Sequence, residues 1–420
     1  MIKNLSIGHV RSLDGLEYEF SPGINLISGP NGCGKTTILE SVHLLSQGFS
    51  FRAKDLKELI SWKADDLILR GSFVDEDGPQ AGRERTRAIR VHRRGSDVKE
   101  NGENLKSPAG FFGSCPSVIM QPSDIELLRG APEVRRRWLD EILCFRSAAN
   151  ASVLRRYKRV LQQRNQWLKQ YKKAMQESRR GGNVEVVGGE ELFQILTEQL
   201  VDLGAKLWAA RLELSREVST IITSYYRKLS GGVDEITCAY KSSILKELDA
   251  LDGAEFLDDD GLDEAYENAQ GGSAAENDAA TPSADGTCED GRIDENVLRT
   301  AYCRKLAGLE QAEKIQGITL SGPHKDDLAL CASGYEMRSV GSQGQCRSAA
   351  VAMRFAAVDV ASRYLSKPIL LLDDIFAELD VNRRDAVANL IREKECQVLI
   401  ATPQAEEIPF AADTKIQLTL

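Results

Sequence analysis

The sequence predicts an α/β head with an antiparallel β layer, into which a helical, coiled-coil-like arm is inserted. Three observations carry that reading. A short apolar strand, Ile24–Ser28, runs into a glycine-rich loop and then a helix over Lys35–Ser46 with apolar residues at Ile38, Val42 and Leu45. Near the other end, Ile369-Leu370-Leu371-Leu372 reads as a second apolar strand closing on Asp373-Asp374. Between them, from Leu154 to Met175, apolar residues recur three and four positions apart, the spacing of a helix seam. Outer parts of α/β character around a helical middle imply one head interrupted by an insertion.

Taken in order, runs near Leu67–Phe73, Ala88–His92 and Ser117–Met120 predict further strands between Gly-, Asp- and Asn-rich turns. The head is assigned to residues 1–135 and 316–420 and the helical arm to 136–251. Its first helix carries Leu154, Tyr157, Leu161, Leu168, Tyr171 and Met175, with only Arg164 off the apolar register. The second, about Glu190 to Lys228, carries Leu196, Leu200, Leu203 and Leu207, and Gly181-Gly182 sits near the turn between the two. Residues 252–295 hold few large apolar side chains and are expected to be a disordered acidic spacer; residues 296–315 form a return helix.

Composition narrows the function. With 42% apolar and 28% charged residues over 420 positions, a sizeable core is expected. No apolar run is long enough for a bilayer, and Met1–Val10 has no secretory pattern, so a cytoplasmic protein without membrane contact is expected. Nine cysteines without a CxxC pair, and four scattered histidines, argue against a zinc site or a disulfide framework. The net charge of −9 is misleading: residues 252–295 hold fifteen acidic residues against one basic, a local −14, which leaves +5 on the rest. A DNA-binding surface is therefore compatible with the balance.

Gly29-Pro30-Asn31-Gly32-Cys33-Gly34-Lys35-Thr36, followed by Thr37, fits a phosphate-binding loop with a strand before it and a helix after. The glycines let backbone N–H groups turn in around phosphates, Lys35 reaches the β and γ phosphates, and the Thr36 hydroxyl serves Mg²⁺. Asp373, at a strand end, would hold the same Mg²⁺, while Asp374 would polarise the attacking water. Together these predict a nucleoside triphosphatase.

Gly341-Ser342-Gln343-Gly344-Gln345, before a helical stretch rich in Ala, Val and Met, resembles the signature of ABC-type ATPases. The resemblance implies ATP as the nucleotide, with Ser342, Gly344 and Gln345 offered to the γ-phosphate held by a second subunit. Leu229-Ser230-Gly231-Gly232 spells part of the transporter signature but ends the helical stretch, and is read as a helix terminator. Further stretches extend the likeness: Gly48-Phe49-Ser50-Phe51-Arg52, Leu127-Leu128-Arg129-Gly130-Ala131-Pro132, Arg135-Arg136-Arg137-Trp138-Leu139-Asp140, Gly322-Pro323-His324-Lys325-Asp326-Asp327-Leu328 and Asp373-Asp374-Ile375-Phe376-Ala377-Glu378-Leu379-Asp380. With these the chain resembles the RecF family of SMC/Rad50-like ABC ATPases. Gln121 matches the Q-loop glutamine of the Rad50 and SMC heads, implying contact with Mg²⁺ and the attacking water. Glu378-Leu379-Asp380 is similar to a D-loop, Thr402 stands where transporters have a switch histidine, and Arg11 is similar to an arginine near the nucleotide.

The resemblance implies a weak, DNA-linked ATPase used as a switch, an ATP-dependent homodimer acting at single-strand gaps or single-/double-strand junctions. It implies RecR and RecO as partners in loading recombinase, with links to DNA replication and the SOS response. Basic candidates for DNA phosphates are Arg83, Arg85, Arg87, Arg90, Arg93 and Arg94, Arg135–Arg137, and the arm's Arg155, Arg156, Lys158, Arg159, Lys169, Lys172 and Lys173. Two other readings of an ATPase head are the ATPase subunit of a membrane transporter and an SMC-like DNA tether.

Overall fold

Ile369-Leu370-Leu371-Leu372 has no polar face, so it must be covered on both sides, and each of the four residues is at most 1% exposed. The computed structural model that shows this describes residues 1–75, 81–178, 188–232, 235–254 and 294–419; the acidic segment and Gly181-Gly182 lie almost wholly outside them. Strands β3 (Ile24–Ser28), β8 (Ser117–Met120), β12 (Ile369–Asp373), β13 (Val398–Thr402) and β14 (Thr414–Gln417) form a parallel sheet in the order β14-β3-β13-β12-β8. An antiparallel sheet runs β2-β1-β4-β5-β6-β7, from β1 (Ile2–Gly8), β2 (Leu16–Glu19), β4 (Asp66–Val74), β5 (Glu84–His92), β6 (Gly95–Glu100) and β7 (Glu103–Leu105).

Helix α1 (Lys35–Gln47) lies between the two sheets, and every residue in it except Thr36 is buried. A helix enclosed this way needs partners for its last carbonyls. Arg87 supplies them from β5, donating to the carbonyls of Leu45 at 2.9 Å and Ser46 at 3.0 Å while paired with Glu100 at 2.9 Å. The alternation of β5 explains this: Arg85, Arg87, Ile89 and Val91 face in, and Thr86, Arg90 and His92 face out. Arg85 is likewise held inside by Asp75 and Glu100. Neither arginine is available to DNA, which corrects the expectation for both.

His43, on the same helix, sets a pH limit on stability. Its Nδ1 lies 3.0 Å from Ser117 Oγ, and burial first, then the Arg354 charge, lowers its pKa to about 3. His324, half-buried at the arm junction, is lowered to about 4, chiefly by its partial loss of solvent. In the unfolded chain both would take a proton below about pH 6.5. Folded, they refuse it until far lower, so stability is lost as pH falls from about 6.5 towards these values, by up to about 1.4 kcal/mol per pH unit for each. Urea midpoints measured from pH 7.5 to 5 are expected to fall, and His43→Gln is expected to make the slope shallower by one proton.

Among the described residues, the remaining helices of more than two turns are α2 (Pro132–Arg146), α3 (Ala148–Ser178), α4 (Gly189–Leu229), α5 (Ser243–Ala254), α6 (Glu295–Gln316), α7 (Gln343–Tyr364) and α8 (Val381–Lys394). Helices α3 and α4 run antiparallel: the Trp167 indole donates to the Gly189 carbonyl, Arg164 to Thr197, and Tyr157 packs beside Gly204. Helix α6 joins them closely enough that a Cβ on Gly204 would stand 2.6 Å from the Tyr302 ring. Arg164, the residue off the apolar register, is 1% exposed and paired with Glu313 of α6 at 2.7 Å. Strand β9 (Ile236–Lys241), in the stretch read as arm, pairs with β10 (Asp327–Ala332), beside β11 (Tyr335–Glu336), and so ties the helices to the head. Leu229 ends α4 and the next glycines turn with positive φ, the Gly232 N–H donating to the Arg227 carbonyl, as a helix terminator requires. Among the described residues no helix is long and apolar enough to cross a membrane, and the described cysteines are free.

Candidate nucleotide-binding site

The site is built where β3 and β12, on either side of β13, reach their carboxyl ends. After Ser28 the chain turns through Gly34 at φ 102°, where a Cβ would meet Leu13 Cδ2 at 2.5 Å, so only glycine fits this approach to α1. The Lys35 ammonium donates to the loop's own carbonyls, Gly29 at 2.7 Å and Pro30 at 2.9 Å. The Thr36 hydroxyl donates to the Asp373 carboxylate at 2.9 and 3.0 Å, joining residues from the two ends of the chain. Burial is the main effect on Asp373 and raises its pKa, with the Thr36 hydrogen bond opposing it. Asp374 follows at φ 52°, its N–H donating to the Ala401 carbonyl at 2.8 Å. A left-handed non-glycine residue is strained, and such strain collects at working sites.

These residues open into one cavity of about 1120 Å³, lined by Asn31, Gly32, Gly34, Lys35, Thr36, Thr37, Asp373 and Asp374, and also by Arg11 and Arg52. The other loop residues, Gly29, Pro30 and Cys33, are outside its lining; a Cβ on Gly29 would meet the Leu418 carbonyl at 2.5 Å and Cys33 Sγ at 2.9 Å. Gln121 is not in its lining. It caps the next turn, its N–H accepted by Asp124 Oδ2 at 2.9 Å, and lines two smaller clefts, while its neighbour Pro122 reaches the cavity. Thr402 ends β13 and bonds within its own turn to Gln404, whereas Pro403 reaches the cavity. No group of three or more His, Cys, Asp or Glu among the described residues could hold a metal ion unaided. One carboxylate and one hydroxyl, Asp373 and Thr36, nevertheless fit Mg²⁺, which takes most of its other ligands from phosphate and water.

Ser342, Gly344 and Gln345 also lie outside this lining. They form the N-terminus of α7: Ser342 Oγ accepts from the Gln345 N–H at 3.2 Å, and Gln345 Oε1 accepts from the Ser342 N–H at 2.9 Å. Arg383 of α8 covers Gly344, where a Cβ would meet its guanidinium at 2.4 Å, and is itself held by Asp380 at 2.6 Å.

The model of the RecF/RecN/SMC N-terminal domain matches residues 1–419. A DNA replication and repair protein RecF of Symbiobacterium thermophilum is 30% identical over 93% of this chain and 88% of its own length. The chain belongs to the RecF family. The Bacillus subtilis RecF is 27% identical over 97% of this chain and 94% of its own. The fold agrees: a recombination mediator protein RecF solved with ATP superposes with a TM-score of 0.78 at 24% identity, over 99% of this chain and 95% of that one. An Smc head bound to a domain of ScpA gives 0.50 at 16%. The chain is thus a RecF-family ATPase, and the transporter and tether readings give way to it.

The other stretches that carry the likeness to RecF serve different places. Arg52 joins the nucleotide cavity. Residues 322–328 instead lock the arm to the head. Asp326 accepts from the Trp208 indole at 2.5 Å, the Tyr240 hydroxyl at 2.6 Å and Ser242 at 2.7 Å, and Asp327 takes a two-pronged bond from Arg135 at 2.7 and 2.8 Å. Arg136 donates to the Asp326 carbonyl, and Arg137 pairs with Glu133 at the surface. Arg135 and Arg136 are therefore joint residues and leave the list of DNA contacts. Sequence reasoning did not single out His9, Asp14 or Trp62, which line the cavity's far wall; no motif marks them, because they reach the site only through the packing of the antiparallel sheet.

Proposed function

We propose that this chain is an ATP-dependent DNA-binding protein of replication and recombinational repair, closing as a homodimer on ATP at single-strand gaps or single-/double-strand junctions. The observation that carries the dimer is the separation within one chain. The phosphate loop, Asp373 and Asp374 share a cavity, while the Ser342 turn is solvent-exposed and outside it. A second copy would bring its Ser342, Gly344 and Gln345 over the γ-phosphate, adding backbone N–H groups and a helix N-terminus to the site. Lys35 would leave the Gly29 and Pro30 carbonyls for the phosphates, and Thr36 and Asp373 would hold Mg²⁺, which when bound neutralises charge on the β and γ phosphates. Asp374 would orient the attacking water, with Gln121 completing the metal and water contacts once its turn moves inward. Hydrolysis then works as a release switch.

Support for DNA comes from α3, where Arg155, Arg156, Lys158, Arg159, Lys169 and Lys173 are exposed. Such a row binds phosphates without reading bases and weakens with salt. We extend to this chain RecR and RecO as partners and a place in the cytoplasm; the RecFOR pathway named for a solved relative supports the partners. The test is binding to a labelled gapped duplex at fixed salt. Affinity is expected to be at least tenfold higher with ATP than with ADP, and Lys35→Ala and Ser342→Arg are each expected to remove the difference. Equal affinity with both nucleotides would break the proposed coupling.

A further inference from the structure

The far wall of the nucleotide cavity has no role in the reading above, yet it is built firmly. The Ser61 N–H donates to the His9 carbonyl at 2.9 Å, the Arg11 N–H to Leu59 at 2.8 Å and the Ala64 N–H to Ser61 at 3.0 Å, while Ile60 bridges to Val10. Arg11 is in turn fixed by Glu40, 1% exposed, at 3.1 Å. On this pinned turn Trp62 is 101% exposed, whereas Trp138, Trp167 and Trp208, the only other tryptophans, are 2%, 3% and 0% exposed. A large aromatic ring held in water by a rigid turn forfeits burial, and at the wall of a cavity it offers a bound ligand a flat apolar face.

The ligand is identified by the cavity that Trp62 shares. Its other end has phosphate and metal groups, Lys35, Thr36 and Asp373, and its volume of about 1120 Å³ exceeds what a triphosphate and one ion fill. Something flat and partly apolar, attached to those phosphates, fits the remainder. Resting on the reading of the site as an ATP site, we infer that Trp62 is the platform on which the nucleobase stacks, with Asp14 and Lys63 as polar groups near the base and ribose. Stacking uses the π face that every base has. Trp62 therefore distinguishes a nucleotide from a bare polyphosphate more strongly than it distinguishes adenine from guanine.

The experiment compares ATP, GTP and inorganic tripolyphosphate on the full chain by calorimetry, together with intrinsic tryptophan fluorescence. With the other three indoles buried, quenching on ATP addition reports Trp62. Trp62→Ala is expected to weaken ATP and GTP about ten- to a hundredfold, to leave tripolyphosphate unchanged and to remove the quenching. Trp62→Phe, which keeps a ring, is expected to retain most of the affinity. An exposed side chain supports no core, so the melting temperature should not move. Unchanged ATP affinity in Trp62→Ala would overturn the inference, and would do so equally if DNA binding or dimer formation were lost instead, because Trp62 would then serve a DNA base or a second copy. Lys35→Ala separates the two layers: it should lose ATP and tripolyphosphate alike, and if it kept both, the nucleotide reading itself would fail.

Discussion

Asp374→Asn is expected to bind ATP with near-normal affinity and to hydrolyse it about 10²–10⁴-fold more slowly. Asparagine has nearly the shape of aspartate and tolerates the left-handed backbone found here at φ 52°, so the turn after β12 should survive the change. The substitution removes only the carboxylate's ability to accept a proton from water. Asp373→Asn makes the contrast. Asp373 is the carboxylate bonded to Thr36, so its loss should weaken Mg²⁺-dependent binding itself, and the added EDTA that weakens wild-type binding should then have little further effect. Single-turnover hydrolysis and equilibrium ATP binding, measured on both variants, separate the roles. Normal hydrolysis by Asp374→Asn would remove it from the chemistry.

Asp374→Asn also gives a reagent for the switch. A protein that binds ATP and cannot hydrolyse it should stay closed, so its complex with gapped DNA should outlast that of the wild type when excess competitor is added. If both complexes decay equally, hydrolysis is not what releases DNA.

What was legible in the sequence was what local pattern and chemistry state together. The strand–glycine loop–helix order around Lys35 and the apolar run before Asp373 each specify an element and a candidate site at once, and both elements lie where they were read. Charged residues misled where burial reversed their meaning. Arg85 and Arg87 look like a basic strand face, yet the alternation of β5 turns them inward, where Asp75, Glu100 and the end of α1 take their charges. Nothing near them in sequence announces those partners. Trp62 failed to register for the opposite reason: a lone tryptophan is usually core, and only the folded antiparallel sheet leaves this one in water at the cavity's edge.

Arg164 is the sharpest instance, and it carries the second large effect. At a seam position where a leucine would serve, its guanidinium donates to Glu313 at 2.7 Å, Thr319 at 2.8 Å and Thr197 at 3.0 Å, and lies 4.6 Å from the Phe193 ring. Glu313 is 0% exposed, and its other oxygen accepts from the Leu320 N–H at 2.8 Å. Glu313→Ala is therefore expected to cost about 3–5 kcal/mol, because it strands a buried charge as well as deleting a contact. Arg164→Met strands the carboxylate and should cost a similar amount. The double variant Arg164→Met/Glu313→Leu removes both charges and fills the space, so it should cost far less than the two single changes summed. Urea unfolding of all four proteins measures the difference. Additive losses would mean that the pair is not coupled, and that Arg164 stays in the seam for its bonds to the two threonines. Strong coupling would mean that the ion pair fixes how α6 lies on α3 and α4, and with it Leu320, which Glu313 also holds and which stands three residues ahead of the Pro323–Asp327 joint between these helices and the ATPase head.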